Sequence, residues 1–415
     1  MIPFGVYIHF PYCLSKCPYC DFASRAEKVI PHERYADAVV KELRARAPAF
    51  QEGFVERRAV SIYFGGGTPS LWDPACVARV IAEVRALFPV EQDAELTLEA
   101  NPGTTDEARF SAFRAGGVNR LSIGVQSFAA QQLVALGRQH SGGDARRAYE
   151  VARAAGFDNI SLDLIHGAEK QTPAGAAQDA AAAVALGPEH ISCYALTLVG
   201  LAEEVPMAKA VRRGELTLPD DEAQGEMGDA VRKELTLGGY ARYEISNYAR
   251  EGREAVHNSL YWRGLEYVAA GTGACGFWRD RRAAGGASAD LAGGAGGAGG
   301  AGAPDRVGGV GRRWMNDRSP ERWIAKVEAT GLGDASSEVV SLEDHLRERI
   351  FTGLRLTAGL DLGQLEDDLR VGVRHRFAGE IDKLVREGLA QRDGAMLRLT
   401  ERGLDLHSEA ALRFF

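Results

Sequence analysis

The stretch Val6-Tyr-Ile-His-Phe-Pro-Tyr-Cys13-Leu-Ser-Lys-Cys17-Pro-Tyr-Cys20 carries two signals near the start of the chain. Its first part, Val6–Phe10, is a short apolar run with β-branched and aromatic residues, which predicts a buried strand. The three cysteines that follow have the spacing C-x3-C-x2-C, and three thiolates on one loop can each hold one iron of a cubane cluster. The same spacing also suits a zinc site completed by His9 or Asp21, or buried unreactive cysteines. Spacing alone leaves these alternatives open.

Five further strand-like runs follow in the first half of the chain, and helical stretches lie between them. The predicted strands are Ser61–Phe64, Glu95–Glu99, Arg120–Val125, Ile160–Ile165 and His190–Leu196. The predicted helices are Glu33–Ala47, Pro74–Leu87, Asp106–Ala115 and Ala174–Leu186. Alternation of this kind favours a parallel sheet with the helices outside. Because the βα units are fewer than the eight of a closed barrel, we predict an α/β fold with a partial (β/α)6 barrel, and an open doubly wound sheet is the alternative.

Composition limits the compartment and the partners. The chain has 49 Lys and Arg against 57 Asp and Glu, a net charge of −8, which argues against a nucleic-acid-binding protein. Six cysteines are too few for a disulfide scaffold. The N-terminus lacks the pattern of a secretion signal, and no apolar run approaches the roughly 18 residues of a membrane span. We therefore expect a cytoplasmic protein with reduced thiols.

Changes in composition divide the chain into five predicted segments. These are the barrel (1–200), a small α/β extension (201–284), a Gly/Ala-rich flexible loop (285–311), a linking helix (312–340) and a C-terminal winged-helix-like domain (341–415). At a usual frequency of about 7%, the glycine count would be about 20 lower than it is. Of the 49 glycines, 12 lie among the 27 residues of the predicted loop. More than half of the surplus is therefore one segment that cannot bury enough apolar surface to order itself.

The C-terminal segment shows a helical pattern followed by a β-wing. The predicted helices are Leu342–Leu354, Leu362–Leu369 and Phe377–Leu389, and a predicted hairpin over Ala390–Thr400 turns at Asp393-Gly394. Winged helices often bind DNA, but this span carries 12 basic and 14 acidic residues, a net charge of −2. It lacks the positive face that phosphate contacts need, so a packing or partner role is favoured.

Polar residues and glycines follow the predicted strands, where a parallel α/β fold places its site. Gly65-Gly66-Gly67-Thr68 follows the second strand, and residues without Cβ let a ligand approach the backbone. The other candidates are Glu99, Gln126, Arg138 and Asp163. Each alone also suits a plain turn, a helix cap or a salt bridge, but polar residues at the ends of apolar strands together favour a site.

In this context the cysteine spacing resembles the radical S-adenosylmethionine (SAM) superfamily. The resemblance implies that Cys13, Cys17 and Cys20 hold a [4Fe-4S] cluster whose open iron binds SAM. In that superfamily the reduced cluster cleaves SAM to a 5′-deoxyadenosyl radical. The resemblance also implies a set of SAM-binding residues, with Glu99 at the ribose or methionyl part and Arg138 at the carboxylate. The full set is Tyr7, Tyr19, Gly66, Gly67, Thr68, Glu99, Gln126, Arg138, Asp163 and Ala195.

Longer motifs narrow the resemblance to one branch. The segments YIHFPYC, GGGTPS, EANPG, GVNRLSIGVQSF, LGRQH and LDLIHG together resemble the family of oxygen-independent coproporphyrinogen III oxidases and HemW haem chaperones. The oxidases carry another Cys two places after the third, where this chain has Phe22, and a long arm before the first strand. The segment His257-Asn258-Ser-Leu-Tyr261-Trp262 resembles the HNxxYW motif of the HemW proteins. The resemblance therefore implies a chaperone that binds haem and transfers it to haemoproteins.

The same motif supplies the candidate haem contacts, which are His257, Tyr261 and Trp262. A neutral imidazole is a common ligand of haem iron, and aromatic rings can stack on a flat macrocycle. A buried core histidine beside core aromatics is the plain alternative. Cys275 stands where the family often has a histidine, so it is a second candidate iron ligand.

Two other functions stay open on the sequence. One is the oxidase itself, which would decarboxylate the propionates of coproporphyrinogen III. The other is a regulatory module that holds zinc at the three cysteines and contacts a partner through the winged helix. The resemblance does not decide whether SAM is cleaved, and it leaves open a homodimer and peripheral membrane association through the haem recipients.

Overall fold

The computed structural model describes residues 2–51, 56–104, 106–198, 205–279 and 309–415. Its strands are β1 (Ile2–Phe10), β2 (Tyr12–Cys13), β3 (Arg25–Ala26), β4 (Arg57–Gly66), β5 (Val90–Ala100), β6 (Arg120–Gln126), β7 (Ile160–His166), β8 (His190–Ala195), β9 (Ala241–Arg242), β10 (Asn247–Ala249), β11 (Glu266–Gly271), β12 (Cys275–Arg279), β13 (Gly311–Asn316), β14 (Asp334–Val340), β15 (Leu360–Asp361), β16 (Ala390–Asp393) and β17 (Met396–Leu399). Its α-helices are α1 (His32–Gln51), α2 (Pro74–Leu87), α3 (Glu107–Ala115), α4 (Ala130–Ala135), α5 (Gly142–Ala154), α6 (Pro173–Leu186), α7 (Pro206–Arg212), α8 (Asp221–Leu237), α9 (Val256–Trp262), α10 (Pro320–Thr330), α11 (Leu342–Gly353), α12 (Leu362–Leu369), α13 (Val373–Arg376), α14 (Ala378–Arg386), α15 (Glu401–Asp405) and α16 (His407–Ala411).

The principal sheet has the order β14-β13-β12-β11-β1-β4-β5-β6-β7-β8-β10-β9. The six predicted barrel strands, β1, β4, β5, β6, β7 and β8, are successive parallel neighbours. A doubly wound sheet would reverse its strand order at a switch point, and this series runs in one direction. The predicted partial (β/α)6 barrel is therefore confirmed over the doubly wound alternative.

Each barrel strand has an apolar face beneath the helices and a more polar face toward the lumen. On β6, Leu121, Ile123 and Val125 have no exposed surface and belong to the main core. The alternate residues on the same strand, from Arg120 to Gln126, line a cavity on the other face. This alternation follows from the two-residue period of a strand. It places the polar side chains of the barrel strands in one lumen.

The α/β extension adds strands to both edges of the barrel. β10 pairs antiparallel with β8, and β11 pairs parallel with β1. The predicted linking helix over 312–340 is corrected, because α10 there lies between two further strands, β13 and β14. Arginines at positions 312 and 313 hide the apolar alternation of β13, whose Trp314 is buried and packs beneath the Arg46 guanidinium at 4.4 Å.

The C-terminal domain contains the predicted helices and hairpin, together with two short helices at its end. Its small sheet has the order β15-β17-β16, and Gly394 takes a φ of 59° at the hairpin turn. The domain packs on the α/β extension through the ion pair of Arg355 with Glu244 at 2.8 Å. The His345 and Phe277 rings also stack there, 5.3 Å apart. These contacts support the predicted packing role.

The predicted Gly/Ala-rich loop, apart from its last three residues, lies outside the described residues. Within the described ranges, no helix is both long enough and apolar enough to cross a membrane.

Candidate functional site

A cavity of about 740 Å³ lies along the lumen of the barrel and the carboxyl ends of its strands. The three cysteines and all but one of the predicted SAM contacts line it. These residues are Cys13, Cys17, Cys20, Tyr19, Gly66, Gly67, Thr68, Glu99, Gln126, Arg138, Asp163 and Ala195. They come from seven different strands or loops, so the fold brings together residues that are up to about 180 positions apart in the chain.

The cysteine loop places its three thiols at this cavity, where residues of two other loops donate hydrogen bonds to two of the sulfurs. Burial is the main cause of the raised pKa of Cys13, and the neighbouring sulfurs of Cys20 and Cys17 add to it. The Thr68 hydroxyl donates to Cys13 Sγ at 3.4 Å, and Arg138 Nη1 donates to Cys17 Sγ at 3.5 Å. Such donors stabilise thiolate charge, as a cluster held by cysteine requires.

His9, an alternative ligand for zinc, makes hydrogen bonds through both of its ring nitrogens. Its Nδ1 is 2.9 Å from the Tyr7 hydroxyl, and its Nε2 is 3.0 Å from the Ala23 carbonyl oxygen. Burial lowers the pKa of His9 to about 4. Within the described ranges, no group of three His, Cys, Asp or Glu side chains surrounds a position for a single metal ion.

Tyr7 is the predicted SAM contact that does not line the cavity. Its ring lies 6.1 Å from that of Tyr63, which does line it, and its hydroxyl holds His9 as described. Tyr7 therefore supports the wall from behind in this structure. Direct contact of Tyr7 with SAM stays a prediction.

The glycine loop after β4 passes directly against the cysteine loop. A Cβ on Gly67 would lie 2.8 Å from Pro11 C and from Tyr12 O, both backbone atoms that cannot easily move. Gly66 has a φ of 115°, and a Cβ there would lie 2.6 Å from the His9 ring. Glycine is required at these two positions by close approach and by backbone conformation. The loop can therefore present its backbone to a ligand next to the thiols.

Asn101 links the glycine loop to Arg138, a role that the sequence analysis did not assign. Its Nδ2 donates to Thr68 Oγ1 at 3.0 Å, and its Oδ1 accepts from Arg138 Nη2 at 2.7 Å. Arg138 Nη2 also donates to the Gly124 carbonyl at 2.9 Å. The position of Asn101 at the end of β5, beside Glu99, was the available signal. The network orients the cation that the resemblance assigns to the SAM carboxylate.

Two buried carboxyl groups face the same cavity. Glu99 Oε1 accepts from the Tyr63 hydroxyl at 2.8 Å, and its Oε2 accepts from the backbone N–H of Gly66 at 3.0 Å. Burial raises the pKa of Glu99 to about 7, despite these donors. Asp163 accepts from the Ser122 hydroxyl at 2.7 Å, and burial raises its pKa as well. Ligand hydroxyls would supply further donors to both groups.

The HNxxYW segment begins helix α9, which closes the deep side of this lumen. Glu95 of β5 accepts hydrogen bonds from the backbone N–H groups of Val256 at 2.9 Å and His257 at 3.1 Å. Asn258 lines the large cavity, as Tyr63 does. The motif is therefore built into the wall of the cavity that holds the cysteine loop.

His257 is a buried supporting residue in this arrangement. Its Nδ1 is 2.8 Å from the Ser61 hydroxyl, and its Nε2 is 2.8 Å from the Tyr261 hydroxyl. Its ring stacks on Tyr63 with the centroids 4.9 Å apart, and burial lowers its pKa to about 3. Because both ring nitrogens of His257 already make hydrogen bonds, this geometry does not support axial ligation of haem iron by His257.

The two aromatic residues of the motif face away from the large cavity. Tyr261 lines a second, smaller cavity against the C-terminal domain. Trp262 lies 4.2 Å beneath the Arg355 guanidinium, and its Nε1 is buried with no hydrogen-bond partner among the described residues. Cys275, the other candidate iron ligand, lies on β12 outside the large cavity. Haem contact through Tyr261 and Trp262 stays a prediction.

Comparison with known proteins identifies the family. The chain matches the radical SAM superfamily over residues 7–180 and the HemN C-terminal domain over residues 340–406. Heme chaperone HemW from Mycobacterium tuberculosis is 33% identical over 404 residues, which are 97% of this chain and 92% of that one. The chain belongs to the HemW family. HemW from Escherichia coli is 40% identical over 275 residues, 66% of this chain and 70% of that one.

A solved structure supports the fold independently of the HemW relatives. Coproporphyrinogen III oxidase (HemN) from Escherichia coli has a TM-score of 0.76, covers 100% of this chain and 90% of its own, and is 22% identical. Radical SAM proteins use a [4Fe-4S] cluster and SAM. The three thiols on one loop, the donors at two of their sulfurs and the glycine backbone that lines the cavity beside them fit both cofactors.

Proposed function

We propose that this protein is a haem chaperone that binds haem, contains a [4Fe-4S] cluster with SAM, and transfers haem to haemoproteins. One observation carries the proposal. The HNxxYW helix, which resembles a feature of HemW proteins and not of the oxidases, is anchored by Glu95 and contributes Asn258 to the cavity that the cysteines line. The names of the HemW relatives agree with this proposal.

The cofactors would be held by distinct parts of the cavity. Cys13, Cys17 and Cys20 would bind the cluster through their sulfurs. When bound, the cluster and SAM supply one-electron chemistry. Around them, Arg138 places positive charge beside the thiols, and Thr68 donates to one sulfur. The glycine loop supplies backbone groups without side-chain obstruction.

The mouth of the cavity has the apolar surface that a tetrapyrrole needs. Leu14 and Phe22 are each 62% exposed and Tyr194 is 40% exposed, and all three line the cavity. Large exposed apolar residues grouped at a cavity mark a binding surface. Phe22 stands at the position where the oxidases carry a fourth cysteine, so this chain has an apolar side chain there in place of a thiol. Haem held at an open mouth would stay accessible to an accepting protein.

Haem titration of the cluster-reconstituted protein tests the proposal. We expect saturable binding of one haem per chain and transfer of that haem to an apo-haemoprotein. Complementation provides the control, because a coproporphyrinogen III oxidase would restore growth to a strain that lacks this enzyme. Rescue of growth, or failure of the purified protein to bind haem, would overturn the proposal.

A further inference from the structure

Arg120 is a buried cation that the SAM and cluster assignments leave unused. It begins strand β6, is 2% exposed, and lines the same cavity as the cysteines. It shares the lumen face of β6 with Ser122 and Gln126, since residues two apart point to the same side. At about 3.3 Å per residue, its backbone lies about 20 Å along the strand from Gln126. Arg120 therefore stands at the deep end of the lumen, well below the strand ends.

The guanidinium of Arg120 has N–H donors that make no hydrogen bond to the described residues. Its Nη1 donates to Thr97 Oγ1 at 3.5 Å, which is a weak hydrogen bond, and its buried Nε has no hydrogen-bond partner in the described part of the chain. A guanidinium carries five N–H donors in a planar fork. Buried donors are nearly always satisfied in folded proteins. Nε has almost no accessible surface and has Glu95 3.7 Å away, so a ligand in the cavity would be bound by the terminal Nη1 and Nη2 groups of the fork.

The carboxylate nearest to Arg120 does not fill this role. Glu95 Oε2 is 3.7 Å from Arg120 Nε, beyond hydrogen-bond distance. Both oxygens of Glu95 already accept from the backbone N–H groups that begin helix α9. Glu95 is therefore an ion-pair partner of the Arg120 guanidinium but makes no hydrogen bond to it. Asn258 and Ser192, which line the same cavity, add polar side chains in the lumen.

We propose that Arg120 is a carboxylate-binding subsite that receives a propionate of haem at the deep end of the cavity. The inference rests on the proposed haem-binding function. Bidentate recognition of a carboxylate is what the guanidinium fork favours geometrically. Haem would enter the lumen with its propionate edge leading. SAM also carries a carboxylate, so the test must separate the two ligands.

The experiment compares haem with haem dimethyl ester, in which both propionates are blocked. Titrations use the cluster-reconstituted wild-type protein, Arg120→Gln and Arg120→Lys. A charge-assisted pair is worth about 10- to 100-fold in affinity. We expect the wild type to prefer haem to its ester by about this factor, Arg120→Gln to lose the preference, and Arg120→Lys to retain part of it. The ratio of the two affinities cancels any general loss of binding in a variant.

Arg57→Gln is the matched control. Arg57 is also buried, at 8% exposure, and pairs with Glu266 at 2.9 Å, but it does not line the cavity. Its removal should lower stability and leave the haem-to-ester ratio at the wild-type value. If Arg120→Gln does not fold, as judged by circular dichroism, the haem-to-ester affinity ratios of the wild type and Arg120→Lys are compared instead. An equal affinity of the wild type for haem and ester overturns the inference.

The remaining outcomes are also decisive. Haem binding with an unchanged ester ratio in Arg120→Gln would overturn the subsite and leave the haem-binding function intact. A loss of SAM affinity in Arg120→Gln with that unchanged ratio would assign the fork to the SAM carboxylate instead. Failure of the wild type to bind haem would overturn the proposed function together with this inference.

Discussion

The pKa of Glu99 makes SAM binding depend on pH in a way that one substitution can remove. Burial raises this pKa to about 7 in the ligand-free protein. The carboxylate would accept hydrogen bonds from ribose hydroxyls or the methionyl part of SAM, and the ionised form is the stronger acceptor. The perturbation is Glu99→Gln, which keeps the shape and removes the titration. We expect wild-type affinity for SAM to rise with pH, relative to this variant.

The magnitude follows from the ionised fraction. With a pKa of about 7, about one Glu99 in eleven is ionised at pH 6 and about ten in eleven at pH 8. If SAM binds the ionised form, the dissociation constant of the wild type falls about tenfold between these values. The same raised pKa gives the ligand-free fold a stability contribution that is fully present below about pH 4.5. That contribution is lost as the pH rises through about 7.

The assay is anaerobic equilibrium binding of SAM to the cluster-reconstituted protein at pH 6, 7 and 8. The ratio of the Glu99→Gln constant to the wild-type constant is the quantity compared, because SAM titrates equally in both experiments. We expect this ratio to rise about tenfold from pH 6 to pH 8. A ratio that stays constant across this range would refute the role of Glu99 as an ionised acceptor for SAM.

Three further predictions concern the loops and helices around the site. Gly67→Ala places a Cβ 2.8 Å from backbone of the cysteine loop, so we expect the free energy of unfolding to fall by about 1–3 kcal/mol and the iron content to fall. The control variant Gly143→Ala should bind iron normally, and equal iron content in both variants would contradict this prediction. His257→Gln should lower the free energy of unfolding by about 1–3 kcal/mol through lost hydrogen bonds and leave the haem absorption spectrum unchanged. An altered Soret band would instead support axial ligation of haem iron by His257. Arg355→Ala leaves the buried carboxylate of Glu244 without its ion pair, so we expect the free energy of unfolding to fall by about 3 kcal/mol and proteolysis at the C-terminal domain to become faster. The control Arg374→Ala removes an exposed ion pair and should lower the free energy of unfolding by under about 1 kcal/mol. Similar proteolysis of both variants would refute the docking contact.

The barrel was predictable because its strands carry an unusually clear signal. Runs such as Arg120–Val125 and Ile160–Ile165 are short, β-branched and separated by helical patterns, so the parallel order followed directly. β13 was missed because paired arginines at 312 and 313 mask its alternation. β13 lies between β12 and β14 in an antiparallel part of the sheet, where a solvent-facing side tolerates charges such as Arg312, so local composition there resembles a linker. Only the pairing with β12 and β14 reveals it.

The site was predictable where motifs fix backbone geometry and less so where packing decides the role. Gly66 and Gly67 were found because close backbone approach demands glycine. His257 was expected at haem because a motif histidine is a common ligand, yet its hydrogen bonds to Ser61 and Tyr261 depend on partners distant in sequence or a turn away. Arg120 was quoted in a motif but given no role. Its two-residue spacing from Ser122 on one strand face was the signal that pointed to the lumen.

Anaerobic titration of haem into the cluster-reconstituted protein, followed by addition of an apo-haemoprotein, tests the central claim most directly. We expect saturation at one haem per chain and movement of the haem spectrum to the acceptor. Absence of saturable binding, or retention of bound haem in the presence of excess acceptor, would contradict the proposed role in haem transfer.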